Sequence, residues 1–215
     1  YFSYFKQDST KLIFNYFLKS WGVLYKAISY ATLNTNKTFF LKNFLLYPNT
    51  DSINFYVEEM VENTAYLKTT WGAPNGKVIK ADINQLNKME EFIPEFDCPL
   101  RDVNRLGKDK IACTYRNNGQ FKALIYNFNG VLLKSIDFPV GKSLHNFYEN
   151  DSTAEYTDFC LSSFFHPNIW YQLSLNDLSF KPSQTVWVPY DVKKLETRYI
   201  NYKSKDGTEI PMYIT

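Results

Sequence analysis

Histidine is the scarcest catalytic residue type in this chain, with two in 215 positions, His145 and His166. A serine or cysteine nucleophile that needs an imidazole base has only these two to draw on. Both lie near turn signals, His166 directly ahead of Pro167, and no Gly-x-Ser-x-Gly elbow occurs anywhere. Both histidines therefore read as surface or turn residues, and no residue is assigned a catalytic role. Gly141-Lys142-Ser143 lacks the further glycine and spacing of a phosphate-binding loop and reads as a turn. Cysteine is equally sparse: Cys98, Cys113 and Cys160 are widely spaced, odd in number and form no Cys-x-x-Cys pair. That argues against zinc and thioredoxin-type chemistry and favours buried thiols in a reducing compartment, so a cytoplasmic location is expected. No metal and no cofactor are expected.

Long apolar runs are missing too. The most apolar stretch, residues 39–47, is interrupted by Lys42 and Asn43, well short of the ~18 residues of a membrane span. Neither sign of charge dominates, with 24 basic against 22 acidic residues, so neither nucleic acid nor an anionic membrane is implied as a partner. Only 8 glycines are present, which leaves most turns to Asn, Asp, Ser and Pro. No signal peptide opens the chain, since Tyr1 begins an alternating segment. The lack of an initiator Met suggests a piece of a longer protein.

What the chain has in abundance is aromatic side chains: 17 Tyr, 18 Phe and 4 Trp. These suit pleated, half-buried surfaces, and no long amphipathic helix pattern competes with them. Short apolar runs punctuated by turn residues predict strands throughout. The clearest turns are Ala73-Pro74-Asn75-Gly76, Asn117-Asn118-Gly119, Asn129-Gly130 and His166-Pro167-Asn168. Three of them recur at a spacing of about 45 to 50 residues, which fits four-stranded propeller blades or a β-sandwich. Apolar residues on both faces, as at Ile111-Ala112-Cys113 and Leu124-Ile125-Tyr126, suit sheets stacked between neighbours. Glu58-Glu59 with Glu62, and Glu90-Glu91, have no histidine nearby in sequence and read as charge at strand ends or on solvated loops.

The last twenty residues read as a hairpin. Arg198, Ile200 and Tyr202 alternate with Tyr199, Asn201 and Lys203, and Lys205-Asp206-Gly207 supplies the turn. Ile210, Met212 and Ile214 fall on one side of the second strand and Pro211 and Tyr213 on the other. Pro211 cannot donate a ladder hydrogen bond, so that strand is an edge or has this position facing outward. Basic residues between Lys194 and Lys205 are diluted by Glu196, Asp206 and Glu209, so the hairpin is solvated rather than nucleic-acid binding.

The wording of these segments is more particular than their periodicity. Residues 66–83 give a strand, a Pro-Asn turn and a second strand that leads to Asp82, and residues 132–141 run through Phe138-Pro139 to Gly141. Residues 157–171 carry Phe164-Phe165-His166-Pro167, and residues 202–214 carry Ser204-Lys205-Asp206-Gly207-Thr208-Glu209-Ile210-Pro211. In that order they resemble the later half of the propeller of the prolyl oligopeptidase family, its prolyl oligopeptidase branch rather than oligopeptidase B. The last segment resembles the hairpin that opens that family's peptidase domain. The resemblance implies an all-β fold: a partial β-propeller, about four blades of a seven-bladed ring, followed by the first hairpin of an α/β-hydrolase domain. The boundaries would be 1–195 for the blades and 196–215 for the start of the peptidase domain.

It also implies a function for the parent protein, a serine peptidase that cleaves short peptides after proline through an acyl-enzyme. The propeller would gate access and pack against the peptidase domain, and the 215 residues would be inactive alone. Ala31, in Ser29-Tyr30-Ala31-Thr32-Leu33, falls where the family can place a small side chain against the substrate cavity. An incomplete propeller exposes strand edges, so self-association of the piece is expected. The alternative is a free-standing β-propeller or sandwich that binds a protein or glycan. Trp71, Trp170 and Trp187 would be its anchors, although core packing is the expectation for each.

Overall fold

The computed structural model describes residues 54–85, 88–145, 147–148 and 153–215 in full, and residues 3–8, 11–20, 23–33 and 39–48 as strand backbone. Among the described residues the regular structure is all β, apart from one 3-10 turn at Val192–Lys194 capped by Asp191. Four antiparallel four-stranded meanders follow one another along the chain, each with its strands in sequence order, and a two-stranded hairpin ends the series. This is the predicted partial β-propeller.

The first meander is β1 (Ser3–Asp8), β2 (Lys11–Ser20), β3 (Val23–Leu33) and β4 (Phe39–Pro48). The second is β5 (Phe55–Val61), β6 (Thr64–Thr69), β7 (Lys77–Asp82) and β8 (Met89–Ile93). Together they lie in one compact unit, Tyr1–Asp97. In the second meander, register puts Phe55, Val57, Leu67, Ile79 and Ala81 on one face, where they form a buried cluster with Met60, Ala65 and Ile83. The opposite face carries Tyr66 edge-on to Phe92 at 4.8 Å, and Lys68 paired to Glu58 at 3.1 Å.

The second unit, Cys98–Thr215, holds the other two meanders and the hairpin. β9 (Leu100–Leu106), β10 (Lys110–Asn117), β11 (Gln120–Asn127) and β12 (Leu132–Asp137) form one sheet. β13 (Lys142–His145), β14 (Tyr156–Ser163), β15 (Ile169–Ser174) and β16 (Phe180–Thr185) form the other. The hairpin is β17 (Arg198–Lys203) and β18 (Glu209–Ile214). The core of the unit joins Leu106, Ala112, Ala123 and Ile125 of the first sheet to Leu144, Phe159, Leu161 and Leu173 of the second. β10 is buried on both faces, as expected of a stacked sheet. The β13–β16 sheet is not. Its second face carries Ser143, His145, Asp158, Ser162, Gln172 and Ser174 in register, and only Cys160 on that face is fully buried.

Three sequence expectations change. Glu59 belongs to β5 rather than to a solvated strand end: a bulge between Val57 and Glu59 sets it opposite Tyr66, where it is buried, and its Oε1 accepts the Met60 amide at 2.7 Å. Lys142 and Ser143, read with Gly141 as a turn, open a strand, Lys142–His145. Core packing fails for two tryptophans, since Trp71 is half exposed and Trp187 is 82% exposed; Trp170 is partly buried and lies 5.1 Å from Tyr148. The three cysteines are buried and outside any disulfide.

Candidate functional site

The hairpin forms as its sequence dictates. The Gly207 amide donates to the Ser204 carbonyl at 3.0 Å, the Asp206 carboxylate accepts the Thr208 amide at 3.0 Å, and Gly207 takes the left-handed conformation. Those hydrogen bonds, the Thr208 amide first, hold the Asp206 carboxyl below its ordinary range. Register pairs Ile200 with Met212 and Tyr202 with Ile210, so these four share one face; Tyr199 and Tyr213 share the other, edge to face at 5.3 Å. At the base, the Thr197 and Thr215 hydroxyls lie 3.0 Å apart, and Glu196 chelates the Arg198 guanidinium at 2.9 and 3.1 Å. That hydrogen bonding lowers the Glu196 carboxyl's pKa and raises that of Arg198.

One end of the second unit receives this hairpin. Strands alternate in direction, so the β10–β11 turn, the β12–β13 connection and the β14–β15 turn lie at the same end of their sheets. Asn118 and Gly119 both have positive φ, 47° and 75°, the two-residue turn that best matches strand twist. The Tyr213 hydroxyl donates to the Asn118 carbonyl at 3.3 Å, and Phe164 of the β14–β15 turn lies 5.6 Å from the Tyr213 ring. The Tyr190 hydroxyl donates to the Phe165 carbonyl at 2.8 Å, which ties down the segment leading to the hairpin. Burial raises the Tyr213 hydroxyl's pKa, against a smaller opposing effect of Arg116.

Two cations stand at the same end. Arg116 lies 5.4 Å from the Phe121 ring centre, and Lys142 lies 5.8 Å from that of Phe165. Partial burial lowers the Lys142 ammonium's pKa. On the hairpin's Ile200, Tyr202, Ile210 and Met212 face, Ile200 and Ile210 are half-buried. Met212, Ile214 and Tyr202 are exposed on it, and Trp187 stands exposed on the segment before it. The arrangement is an exposed, largely apolar face.

Among the described residues no serine, histidine and carboxylate gather as a triad. His145 lies in β13 with its Nε2 3.0 Å from the Ser162 hydroxyl, but no carboxylate among the described residues is paired to the ring, and Ser162 sits within a strand rather than at an elbow. His166 is in a loop, its Nδ1 2.7 Å from the Pro167 carbonyl oxygen. Glu90 pairs with Lys80 and Glu91 with Lys77. Among the described residues no three His, Cys, Asp or Glu side chains gather as a metal site. Burial raises the pKa of the Cys160 thiol, the opposite of an activated nucleophile. Burial also pushes the Tyr115 hydroxyl well above its usual range, and Tyr126 to about 12, with Cys113 contributing to both. Ala31 lies in β3, in register with Leu12 and Leu41 and next to an irregularity between Tyr30 and Ala31. Its side chain lies outside the described residues.

Sequence reasoning found the hairpin but not its seat. The contact joins Asn118 to Tyr213, 95 residues apart, and no local pattern signals it.

Comparison with known proteins adds the family context. A family model described as the N-terminal β-propeller domain of prolyl oligopeptidase matches residues 3–185, ending ahead of the hairpin. A prolyl endopeptidase of Dictyostelium discoideum is 29% identical over 208 residues, covering 89% of this chain and 26% of that protein. Prolyl oligopeptidase A of Amanita bisporigera is 30% identical over 161 residues, covering 69% of this chain and 20% of that protein. The chain thus spans about a fifth to a quarter of the length of these relatives. Among solved structures, one from a study of two prolyl endopeptidases superposes with a TM-score of 0.78 at 18% identity, covering 99% of this chain and 30% of that one. Prolyl oligopeptidase B of Galerina marginata, bound to a 35mer hydrolysis and macrocyclization substrate, superposes with a TM-score of 0.75 at 22% identity, with coverages of 99% and 30%. At such identities the superpositions establish the fold.

Proposed function

The chain belongs to the prolyl oligopeptidase N-terminal β-propeller family, and from that premise we propose that it is the non-catalytic gating portion of a serine peptidase that cleaves short peptides after proline. The observation that carries the reading is the hairpin. One face is docked on the sheets by Tyr213, while Tyr202, Met212 and Ile214 on the other are exposed. A peptidase domain that begins at about residue 196 and packs on this end would bury that face and the exposed Trp187. The end of the propeller-family match at residue 185 supports that boundary.

In this reading the propeller excludes folded proteins and admits oligopeptides, with substrate entry set by movement between the two domains. Ala31 is the residue proposed to face the peptide, and its place beside a strand irregularity supports it, since such irregularities re-aim side chains next to active sites. Three thiols outside disulfides support a reducing, cytoplasmic setting.

The test compares two proteins on a fluorogenic peptide with proline on the amino side of the scissile bond. The full-length protein hydrolyses it and the 215-residue chain does not. Turnover by the 215-residue chain, or none by a folded full-length protein, overturns the reading.

A further inference from the structure

Asparagine followed by glycine occurs three times in the chain, at Asn75-Gly76, Asn118-Gly119 and Asn129-Gly130. In such a pair the glycine amide nitrogen can attack the asparagine side-chain carbonyl, because glycine has no Cβ to stand in the way. The attack needs that N–H free. In two of the turns it is engaged: Gly76 donates to the Ala73 carbonyl at 2.8 Å and Gly130 to the Asn127 carbonyl at 2.9 Å. Asn75 is held further, its Nδ2 donating to the Phe96 carbonyl at 3.2 Å. The Gly119 amide donates to nothing among the described residues, and Asn118 is exposed at the tip of the β10–β11 turn. The surroundings of that turn also favour the deprotonated nitrogen, which is the nucleophile. The Gly119 N–H shares its peptide group with the Asn118 carbonyl, and that carbonyl accepts the Tyr213 hydroxyl at 3.3 Å. Loss of the proton spreads negative charge onto the same oxygen, where the hydroxyl stabilises it. The Arg116 charge reaches the Tyr213 hydroxyl, so a cation stands near as well. Glycine is also what admits the hydroxyl, since a Cβ built on Gly119 would fall on it.

We propose that Asn118 is a self-modifying site, converted through a cyclic imide to aspartate and isoaspartate with the Tyr213 hydroxyl as its oxyanion donor. The Gly119 nitrogen gives its proton to water and bonds to Asn118 Cγ. The Cγ–Nδ2 bond breaks as the side-chain nitrogen takes up a proton and leaves as ammonia. Water then opens the ring at either carbonyl. Opening at Cγ restores the original backbone with an aspartate, and opening at the main-chain carbonyl carbon routes the backbone through Cβ and leaves isoaspartate. The balance needs water alone. Either product places a new carboxylate beside Tyr213. On the proposed boundary Tyr213 belongs to the peptidase domain, so the added charge falls where the two domains touch; that consequence rests on the proposed function, whereas the chemistry at Asn118 does not.

The test ages the folded 215-residue chain in mildly alkaline buffer and digests it with trypsin, which puts the three sites on separate peptides, 69–77, 117–122 and 123–134. Mass spectrometry reads the amide-to-acid change in each, and chromatography separates the two products. The Asn118 peptide is expected to convert about fivefold faster than the other two, the factor equivalent to the ~1 kcal/mol net worth of one hydrogen bond. In denaturant, where no turn holds its glycine amide, the three rates converge. Tyr213→Phe keeps the ring and removes the donor, and it slows conversion at Asn118 alone. Asn118→Gln abolishes the change in 117–122, which separates it from the neighbouring Asn117. Conversion at Asn118 no faster than at Asn75 and Asn129 in the folded chain overturns the site, as does a lead that persists in denaturant. A rate that Tyr213→Phe leaves unchanged or raises overturns the role of the hydroxyl. If Tyr213→Phe unfolds the unit, the ranking of the three sites in the unsubstituted chain decides. No peptidase assay enters, so the site and the proposed function fail separately.

Discussion

Phe159 and Tyr171 face each other in register across β14 and β15, their rings stacked 5.1 Å apart with planes 7° from parallel. Phe138, Phe147 and Phe180 close around Phe159 at 5.3 to 5.7 Å, so one fully buried ring touches four others. Removing it leaves a cavity that sheets fixed by ladder hydrogen bonds fill only in part. Phe159→Ala is expected to destabilise the second unit by about 3–5 kcal/mol, and Phe159→Leu by distinctly less. Chemical denaturation followed by tyrosine and tryptophan fluorescence measures it; a loss no larger than that of an exposed substitution removes Phe159 as the centre of this core.

Two buried threonines make a sharper comparison. The Thr157 hydroxyl donates to the Tyr148 carbonyl at 2.7 Å, whereas the Thr114 hydroxyl has no partner among the described residues. Threonine and valine are nearly equal in shape, so replacement isolates the polar atom. Thr114→Val is expected to be neutral or stabilising, and Thr157→Val to cost about 1 kcal/mol. Equal effects in urea melts contradict the difference in hydrogen bonding.

How much of this was legible beforehand follows from what each element depends on. The β17–β18 hairpin was readable because Asp206-Gly207 and the alternation around it are local. β16 went unread because Pro182 and exposed polar neighbours hide its period, and only its pairing with β15 makes it a strand. β13 is four residues long, with Leu144 its only core contributor. The bulge that sets Glu59 opposite Tyr66 leaves no mark on the residue pattern, because charge there looks the same at a strand end. Trp187 read as core because an aromatic side chain carries no sign of whether its cover comes from its own domain or another.

The β15–β16 turn offers a pH test. The Asp177 carboxylate accepts the Ser179 amide at 3.0 Å and the Ser179 hydroxyl at 2.9 Å, and hydrogen bonding from the Ser179 amide first, then the Ser174 and Ser179 side chains, lowers its pKa to about 2. A depressed carboxyl favours the folded turn above its ordinary pKa of about 3.9. That contribution fades as pH falls from there and is gone below about 2. Carboxyl carbon shifts in an NMR titration should place the Asp177 midpoint about two units under that of an unstructured aspartate. A midpoint near 3.9 would mean the turn does not hold its carboxylate.

Self-association, expected from the open edges, should not be spread evenly over them. Among the described residues β12 pairs only with β11 and β16 only with β15, so each presents an open row of backbone groups. β16 carries Lys181 and Pro182, a charge and a missing amide that resist pairing with another chain. At β12, Val131, Leu132 and Leu133 are all about half exposed, with Lys134 as the sole charge before Asp137. An edge with apolar side chains and available amides is the better template, so β12 is the expected site of contact between copies. Sedimentation velocity on the 215-residue chain should show weight-average mass rising with concentration. Leu133→Lys should suppress that rise, and Lys181→Leu on β16 should add to it less than Leu133→Lys takes away. A concentration-independent monomer, or association indifferent to Leu133→Lys, removes β12 from this role.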